Sequence, residues 1–410
     1  MKAKMKYAIL VGDGMADEPV EELGGKTPLE YAETPNMDAL AEQGRTGRVS
    51  TVPEGMEPGS DVANMSLLGY DPRTYYTGRA PIEVASLGIP ISAQDTAFRC
   101  NLVTIEKGVM KDYSAGHIEN EDAKELIMGV NKKLATAAIQ FYPGVSYRHI
   151  LIITDFMPLG IRTTPPHDIT GQKVKSYLPQ GNHSDMLISL LKGAHAYLVR
   201  SKINKKRKED GKSPATDIWL WGQGQAGVLP SLYERYGLSG SVISAVDLVQ
   251  GLGKLAGMTA RCVEGATGYL GTNYEGKVQS ALRALKKEDF VYLHVEAPDE
   301  TSHEGSLEKK LQAIREFDEN VVGPMREGMT KHEKWRILVC PDHPTLISTR
   351  THDATPVPFA VAGTGIERDK VKKYSEKSIP LTEDSLTGMA LFDAFIRGTF
   401  DGEGPEDESN

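Results

Sequence analysis

Three apolar runs in this 410-residue chain each end beside a carboxylate. Asp13 lies in Gly12-Asp13-Gly14 after Tyr7-Ala8-Ile9-Leu10-Val11, Asp299 and His303 follow Phe290-Val291-Tyr292-Leu293-His294-Val295, and Asp342-His343 follows Ile337-Leu338-Val339. His352 comes soon after, in Thr351-His352-Asp353-Ala354-Thr355-Pro356-Val357-Pro358, and Ser60 stands in Pro58-Gly59-Ser60-Asp61-Val62-Ala63-Asn64. Three carboxylates and three imidazoles form a donor set for two divalent ions, and mixed oxygen and nitrogen ligation favours Mn²⁺, Zn²⁺ or a similar ion over Ca²⁺. Beside such ions a serine hydroxyl loses its proton more readily and becomes a nucleophile for in-line displacement at phosphorus. Taken singly, each feature has a plainer reading: Asp342-His343 on a surface loop, D-x-x-x-H on a solvated loop, Ser60 as a helix N-cap. Their joint arrival is what argues for a site.

The elements that must position these residues can be read from the same text. Continuous apolar runs suit buried strands of an α/β sheet, whose C-terminal ends are where such sheets build their sites. Ser60 precedes the helical pattern Val62, Met65, Leu68, so its hydroxyl is expected at a helix N-terminus, where free N–H groups and the dipole favour phosphate. Asp299 and His303, four apart, face the same way if the strand exit coils into one helical turn. Thr34-Pro35 starts a further helix that Gly44 ends.

Between about residues 94 and 210 the pattern changes. A hairpin is expected around the Gly108 turn, then a helix from Glu119 to Leu134, extended chain from Ile139 to Asp155 and a helix from Ser184 towards Arg200. This reads as a small α+β insertion, with Lys212-Ser213-Pro214 marking re-entry into the main sheet. The core is then discontinuous, residues 1–93 and 211–410, with an acidic tail at 401–410. Asp217–Trp221 followed by Gly222-Gln223-Gly224-Gln225-Ala226-Gly227 matches G-x-G-x-x-G, with Asp247 downstream, and offers a rival reading as a nicotinamide-dinucleotide-binding oxidoreductase. Pro230 and the helical pattern headed by Asp247 speak against it.

Composition narrows the class. Forty-seven Lys and Arg against fifty-six Asp and Glu, net −9, leave no basic field for nucleic acid; Lys205–Lys208 runs straight into Glu209-Asp210. Three scattered cysteines, Cys100, Cys262 and Cys340, suit neither a disulfide framework nor a thiolate metal site, and a reducing cytoplasm is expected. The apolar run after the basic start is too short for a signal peptide, and no membrane span is expected.

Strand-G-D-G, P-G-S-D-V-A-N, A-P-D-x-x-x-H, P-D-H and T-H-D-A-T-P-V-P together resemble the alkaline phosphatase superfamily, specifically its archaeal-type, bisphosphoglycerate-independent phosphoglycerate mutases and their bacterial relatives. Gly25–Leu29, Thr34–Asp38, Pro165–Ile169, Ile218–Gly222 and Gly265–Gly268 carry the same likeness. The resemblance implies an α/β fold: an alkaline-phosphatase-like core with a mainly parallel sheet flanked by helices, plus an inserted lid that closes over substrate. It implies Asp299, His303 and His352 around one ion and Asp13, Asp342 and His343 around the other, beside Ser60. Mn²⁺ is the expected metal, with Mg²⁺, Zn²⁺ or Co²⁺ as alternatives, and no bisphosphoglycerate cofactor is called for. The substrate would be a small phosphorylated acid, 3-phosphoglycerate or 2-phosphoglycerate, exchanged through a phosphoserine.

In the insertion, Arg148 and Asp168 are candidates for catalytic work, a cation for an anionic group and a carboxylate for a hydroxyl proton, with His149 and His167 as substrate contacts. The family commonly has a Lys where this chain has Gln250, and an Asp where it has Gly271; Lys254 and Lys277 are candidates to supply the missing charge. Some bacterial relatives resemble proposed homoserine kinases, and a metal-dependent phosphatase could use the same residues. No P-loop or kinase glycine loop is present, so any such transfer would have to use this metal site. Oligomeric state is not legible.

Overall fold

The structure is a computed structural model describing residues 4–382 and 385–400; the segment expected to be an acidic tail, 401–410, lies outside the described residues. Its strands in chain order are β1 (Lys6–Gly12), β2 (Arg45–Ser50), β3 (Thr96–Glu106), β4 (Val109–Asp112), β5 (Ile139–Tyr142), β6 (Arg148–Ile153), β7 (Asp217–Gln225), β8 (Gly240–Ile243), β9 (Thr259–Ala260), β10 (Phe290–Val295), β11 (Trp335–Cys340), β12 (Thr345–Leu346), β13 (Thr351–His352), β14 (Val357–Gly363) and β15 (Leu386–Thr387). The chain divides into a large unit, Met1–Tyr76 with Leu229–Asn410, and a small unit, Thr77–Val228.

In the large unit eight strands run in the order β15-β2-β14-β11-β1-β10-β8-β9. β1 is parallel to both neighbours, β10 and β11, with Val11 level with His294 and with Cys340. β14 is antiparallel to β11 and β2, so the sheet is mainly but not wholly parallel. β1, β10 and β11 are buried almost end to end, as continuous Val, Ile and Leu runs require when helices cover both faces. Helices Tyr274–Leu285 and Leu307–Phe317 add Val278, Ala281, Ile314 and Phe317 to the core around Leu10, Leu293 and Val339. The consequence for function is geometric. Parallel neighbours end on the same side, so Asp13, the Asp299 segment and Asp342 emerge side by side.

The small unit is an antiparallel sheet, β4-β3-β6-β5, with β7 also paired to β3. Helices Asn120–Leu134 and Ser184–Leu198 cover one face, against Phe98, Cys100, Leu102, Leu151 and Ile153. Its extent corrects the expected insertion of 94–210. Helix Arg79–Leu87 packs Ala80 and Val84 on Ala97, Ile150 and Ile152, which draws the start of the unit back to Thr77. β7, expected to re-enter the main sheet, instead pairs with β3 from Asp217 to Gln225; the return comes after Val228, and β8 is the next strand of the large sheet. An isolated apolar strand says nothing about which sheet it joins, and here the partner is β3.

The same pairing removes the dinucleotide reading. Gly222 to Gln225 are strand residues, and the next helix, Leu232–Tyr236, begins only after Pro230. A Cβ at Gly224 would overlap the Thr77 carbonyl oxygen, so that glycine serves a close backbone approach rather than a pyrophosphate. Among the described residues no helix is long and apolar enough to cross a membrane.

Candidate metal centre

Each strand exit delivers its residues by a different local device. After β1 the chain turns through Gly14, at φ 59°, where a Cβ would overlap the Thr345 hydroxyl and Asp299; Gly14 N–H then donates to Asp342 Oδ1 at 3.1 Å. After β10 the chain forms the helix Ala297–His303, with Pro298 in its first turn, and this puts His303 Nε2 3.2 Å from Asp299 Oδ2. After β11, Asp342 and His343 diverge, and the β12–β13 ribbon folds back so that Thr345 pairs with His352. Ser60 is the first residue of helix Ser60–Leu67, whose N-cap is Gly59, so the reading of Ser60 as a cap is excluded. Its hydroxyl lies 3.1 Å from His343 Nε2.

The seven residues singled out in the sequence are thus brought together as two abutting groups. In one, His303 Nε2 is 3.0 Å from His352 Nε2, and His352 Nε2 is 3.4 Å from Asp299 Oδ1. In the other, His343 Nε2 is 3.5 Å from Asp13 Oδ1 and 3.6 Å from Asp342 Oδ2. His343 is close enough to Asp299 and His352 to belong to either group. Donor atoms each about 2.1 Å from one ion lie roughly 3–3.5 Å from one another, which is the spacing seen.

The chemistry of the donors fits ions as well as the spacing does. His303 Nδ1 donates to Arg350 O at 2.9 Å, His343 Nδ1 to Pro344 O at 3.2 Å and His352 Nδ1 to Pro58 O at 3.4 Å. In each ring this leaves Nε2 as the lone-pair nitrogen, directed at the cluster, the arrangement that carbonyls behind a metal-bound histidine impose on it. Two bare Nε2 atoms 3.0 Å apart repel unless a cation lies between them. Asp13 Oδ1 is buried and has no hydrogen-bond partner. Burial, then the charges of Asp342 and Asp299, push the Asp13 carboxyl well above the usual carboxylate range when no cation is present. Burial works against a charged His303, but its bond to Asp299 and that residue's charge outweigh this and raise it to about 9. A proton there occupies the place of an ion.

A supporting layer escaped the sequence reading. Asn64 Nδ2 donates to Asp342 Oδ2 at 2.7 Å and to Ser60 O at 2.8 Å, while the buried Tyr292 hydroxyl donates to Asn64 Oδ1 at 2.6 Å. His294, wholly buried on β10, has Nε2 3.0 Å from Asp13 Oδ2 and Nδ1 3.3 Å from Ser244 Oγ. His294 was visible as a polar residue within the apolar run of β10, whereas Asn64, on the helix face it shares with Ser60 and Asp61, carried no such signal. Lys310 is buried too, donating to Asp17 Oδ2 at 2.7 Å, Thr345 O at 2.8 Å and Ala16 O at 3.2 Å, which ties the Asp13 loop to the His343 loop.

The lysine candidates behave differently. Lys277 is 1% exposed and donates to His294 O at 3.1 Å; burial lowers its pKa to about 8, and its ammonium is spent inside the core. Lys254 is exposed in the last turn of helix Asp247–Leu255. Gln250 donates to Ser244 O at 2.9 Å, and Gly271 sits at φ 73° in open space, a backbone state that favours glycine over aspartate.

In the small unit Arg148 is exposed, its guanidinium 5.8 Å over the Tyr147 ring, and His167 and Asp168 are exposed on the turn Pro166–Ile169, with His167 Nε2 3.5 Å from Asp168 Oδ1. His149 does not join them. It points to the helix-covered face beside Cys100, 1% exposed, with Nδ1 accepting from Gly144 N–H at 3.0 Å, and so is removed from the substrate contacts. Alternation along β6 sends neighbours to opposite faces. Arg99, which the sequence reading passed over, lies on the Arg148 face, with Nε 3.0 Å from Glu83 Oε2 and its guanidinium 4.3 Å over Trp221.

Comparison with known proteins identifies the family. Residues 41–204 match the family model described as 2,3-bisphosphoglycerate-independent phosphoglycerate mutase. A curated relative of that name from Methanosarcina mazei is 52% identical over 377 residues, 92% of this chain and 95% of the relative. The chain belongs to the 2,3-bisphosphoglycerate-independent phosphoglycerate mutase family. A probable phosphoglycerate mutase of this kind from Geobacter sulfurreducens is also 52% identical, over 91% of this chain and 95% of its own length. Among solved structures, a Pyrococcus horikoshii protein superposes with TM-score 0.81 at 27% identity, covering 98% of this chain and 100% of its own. The cofactor-independent phosphoglycerate mutase of Thermoplasma acidophilum gives TM-score 0.66 at 26% identity, covering 96% of this chain and 99% of its own. The expected fold class and family are therefore those found.

Proposed function

We propose that this protein interconverts 3-phosphoglycerate and 2-phosphoglycerate without bisphosphoglycerate, through a phosphoserine at Ser60, with two divalent ions held by Asp299, His303 and His352 and by Asp13, Asp342 and His343. The observation that carries this reading is the set of three imidazoles whose Nδ1 atoms are spent on backbone carbonyls while their Nε2 atoms face buried carboxylates and the Ser60 hydroxyl. Ions bound there supply positive charge that favours ionised Ser60 and offsets charge on the transferring phosphoryl group. Mn²⁺ is the ion to test first, given the mixed oxygen and nitrogen donors.

Ser60 Oγ attacks phosphorus of 3-phosphoglycerate; the bond from phosphorus to O3 breaks, and O3 takes a proton. Glycerate then turns in place, and its O2 attacks the phosphoserine, loses its proton and frees Oγ. Ser60 opens a helix of eight residues, so its N–H groups and dipole favour the phosphate dianion. Asn64 holds both the Ser60 carbonyl and Asp342, which keeps the nucleophile in register with the ligands. Arg148, His167 and Asp168 remain the candidate glycerate contacts, with Asp168 as a group able to move a hydroxyl proton. A cytoplasmic location suits the three unpaired cysteines.

The test is conversion of 3-phosphoglycerate by purified protein with Mn²⁺, followed by phosphorus NMR. We expect the 2-isomer to accumulate without added bisphosphoglycerate, and Ser60→Ala to abolish it. Release of inorganic phosphate with no isomer would make the protein a hydrolase, and ATP-dependent phosphorylation of homoserine without isomerisation would make it a kinase.

A further inference from the structure

We propose that Thr345 couples the two ion sites, as a positioning residue that sets ligand atoms on both sides at once; this rests on the two-ion reading above. Thr345 is completely buried, and its hydroxyl contacts candidate ligands of both groups, Asp299 and His343. Its hydroxyl donates to Asp299 Oδ1 at 2.5 Å. A hydroxyl has one proton, so towards His343 Nδ1, 3.3 Å away, the same oxygen can only accept. His343 therefore carries its proton on Nδ1, shared between Thr345 Oγ1 and Pro344 O, and its Nε2 is left bare beside Ser60 Oγ and Asp13 Oδ1.

The result is a directed chain, His343 Nδ1–H to Thr345 Oγ–H to Asp299 Oδ1, that begins in one ligand set and ends in the other. The backbone of Thr345 extends the connection: its N–H donates to Ala16 O at 3.2 Å on the Asp13 loop, and β12 pairing puts it opposite His352. Its carbonyl accepts from Lys310. One residue thus touches segments supplying Asp13, Asp299, His343 and His352. A change in Asp299 on filling one site is felt through the hydroxyl by the His343 ring, so loss of the hydroxyl is expected to disturb both ligand sets together.

The test is Mn²⁺ binding to the full chain, followed by the electron paramagnetic resonance of free ion, for wild type, Thr345→Val and Thr345→Ser. Valine keeps the shape and deletes the chain; serine keeps the chain. We expect wild type to take up two ions. Thr345→Val should bind both about 10–100-fold more weakly, the usual cost of losing a group that orients metal ligands, and Thr345→Ser should return towards wild type. Thr345→Ala, which deletes the same hydroxyl without adding a methyl group, replaces valine if that variant fails to fold. Wild-type affinity for both ions in Thr345→Val, or weakening of one ion only, would overturn the coupling while leaving the two-ion reading intact. Failure of the wild type to bind Mn²⁺ would overturn both.

Discussion

His303 could be singled out in the sequence by its four-residue spacing from Asp299, and His352 by the Thr-His-Asp-Ala-Thr-Pro motif. Asp13, Asp299, Asp342 and His343 were legible because each stands just past the end of an apolar run, where a carboxylate or imidazole has no place in a core. His149 was misread for the converse reason. Beside Arg148 in sequence, it shares none of its surroundings, because a strand turns successive side chains to opposite faces. Burial holds its pKa down at about 3, against 6.5 for an ordinary histidine. The folded value lies below the unfolded one, so the contribution to stability is whole above about pH 6.5 and is lost as pH falls towards 3. Each tenfold difference in proton affinity between the folded and unfolded chain is worth about 1.4 kcal/mol, so the loss amounts to several kcal/mol. His149→Asn preserves an acceptor for Gly144 N–H but does not titrate. Urea unfolding of that variant should show a shallower loss of stability between about pH 6.5 and 4 than wild type, with kcat/KM unchanged at about pH 7.5. A large fall in kcat/KM without a stability change would return His149 to the substrate site.

At the scale of elements, β1, β10, β11 and helix Ala297–His303 were readable from continuous apolar runs and from the four-residue spacing of Asp299 and His303. β7 was readable as a strand but not as part of the small unit, since its partner β3 lies more than a hundred residues earlier and no local signal specifies that pairing. Its glycines invited a phosphate-binding reading that the backbone explains more simply. Gly224 faces Thr77 and Gly78 at a distance no side chain allows, whereas Gly222 has a left-handed φ of 60° and room for a Cβ. Gly224→Ala should therefore cost about 1–3 kcal/mol through overpacking. Gly222→Asn, a residue that tolerates the left-handed region, should cost less. Thermal unfolding of the two variants distinguishes this from a nucleotide role, for which both glycines would matter equally and NADH would shift the transition.

For the whole molecule the centre is a long-range object. Under the two-ion proposal its ligands run from Asp13 to His352 and converge only when β1, β10 and β11 lie in register, so the unfolded chain would have no comparable site and ion binding would act as folding energy. At an ion concentration one hundred times Kd the gain is about 2.7 kcal/mol per site, or roughly 2–4 °C in Tm for each kcal/mol in a unit of this size. Asp13 lets the two contributions of a ligand be separated. Without an ion, its folded pKa lies above the unfolded value, so above that unfolded value the carboxylate detracts from stability, because burial and the neighbouring Asp342 and Asp299 oppose its charge. Asp13→Asn removes that charge along with the ligand. In excess chelator at about pH 7.5 the variant should melt no lower than wild type; with Mn²⁺ at saturation the order should reverse, because only wild type gains from the full ligand set. Calorimetry of both proteins in both buffers measures four transitions. If Asp13→Asn melted well below wild type in chelator, Asp13 would be a structural carboxylate, and the cluster would owe its form to the fold alone.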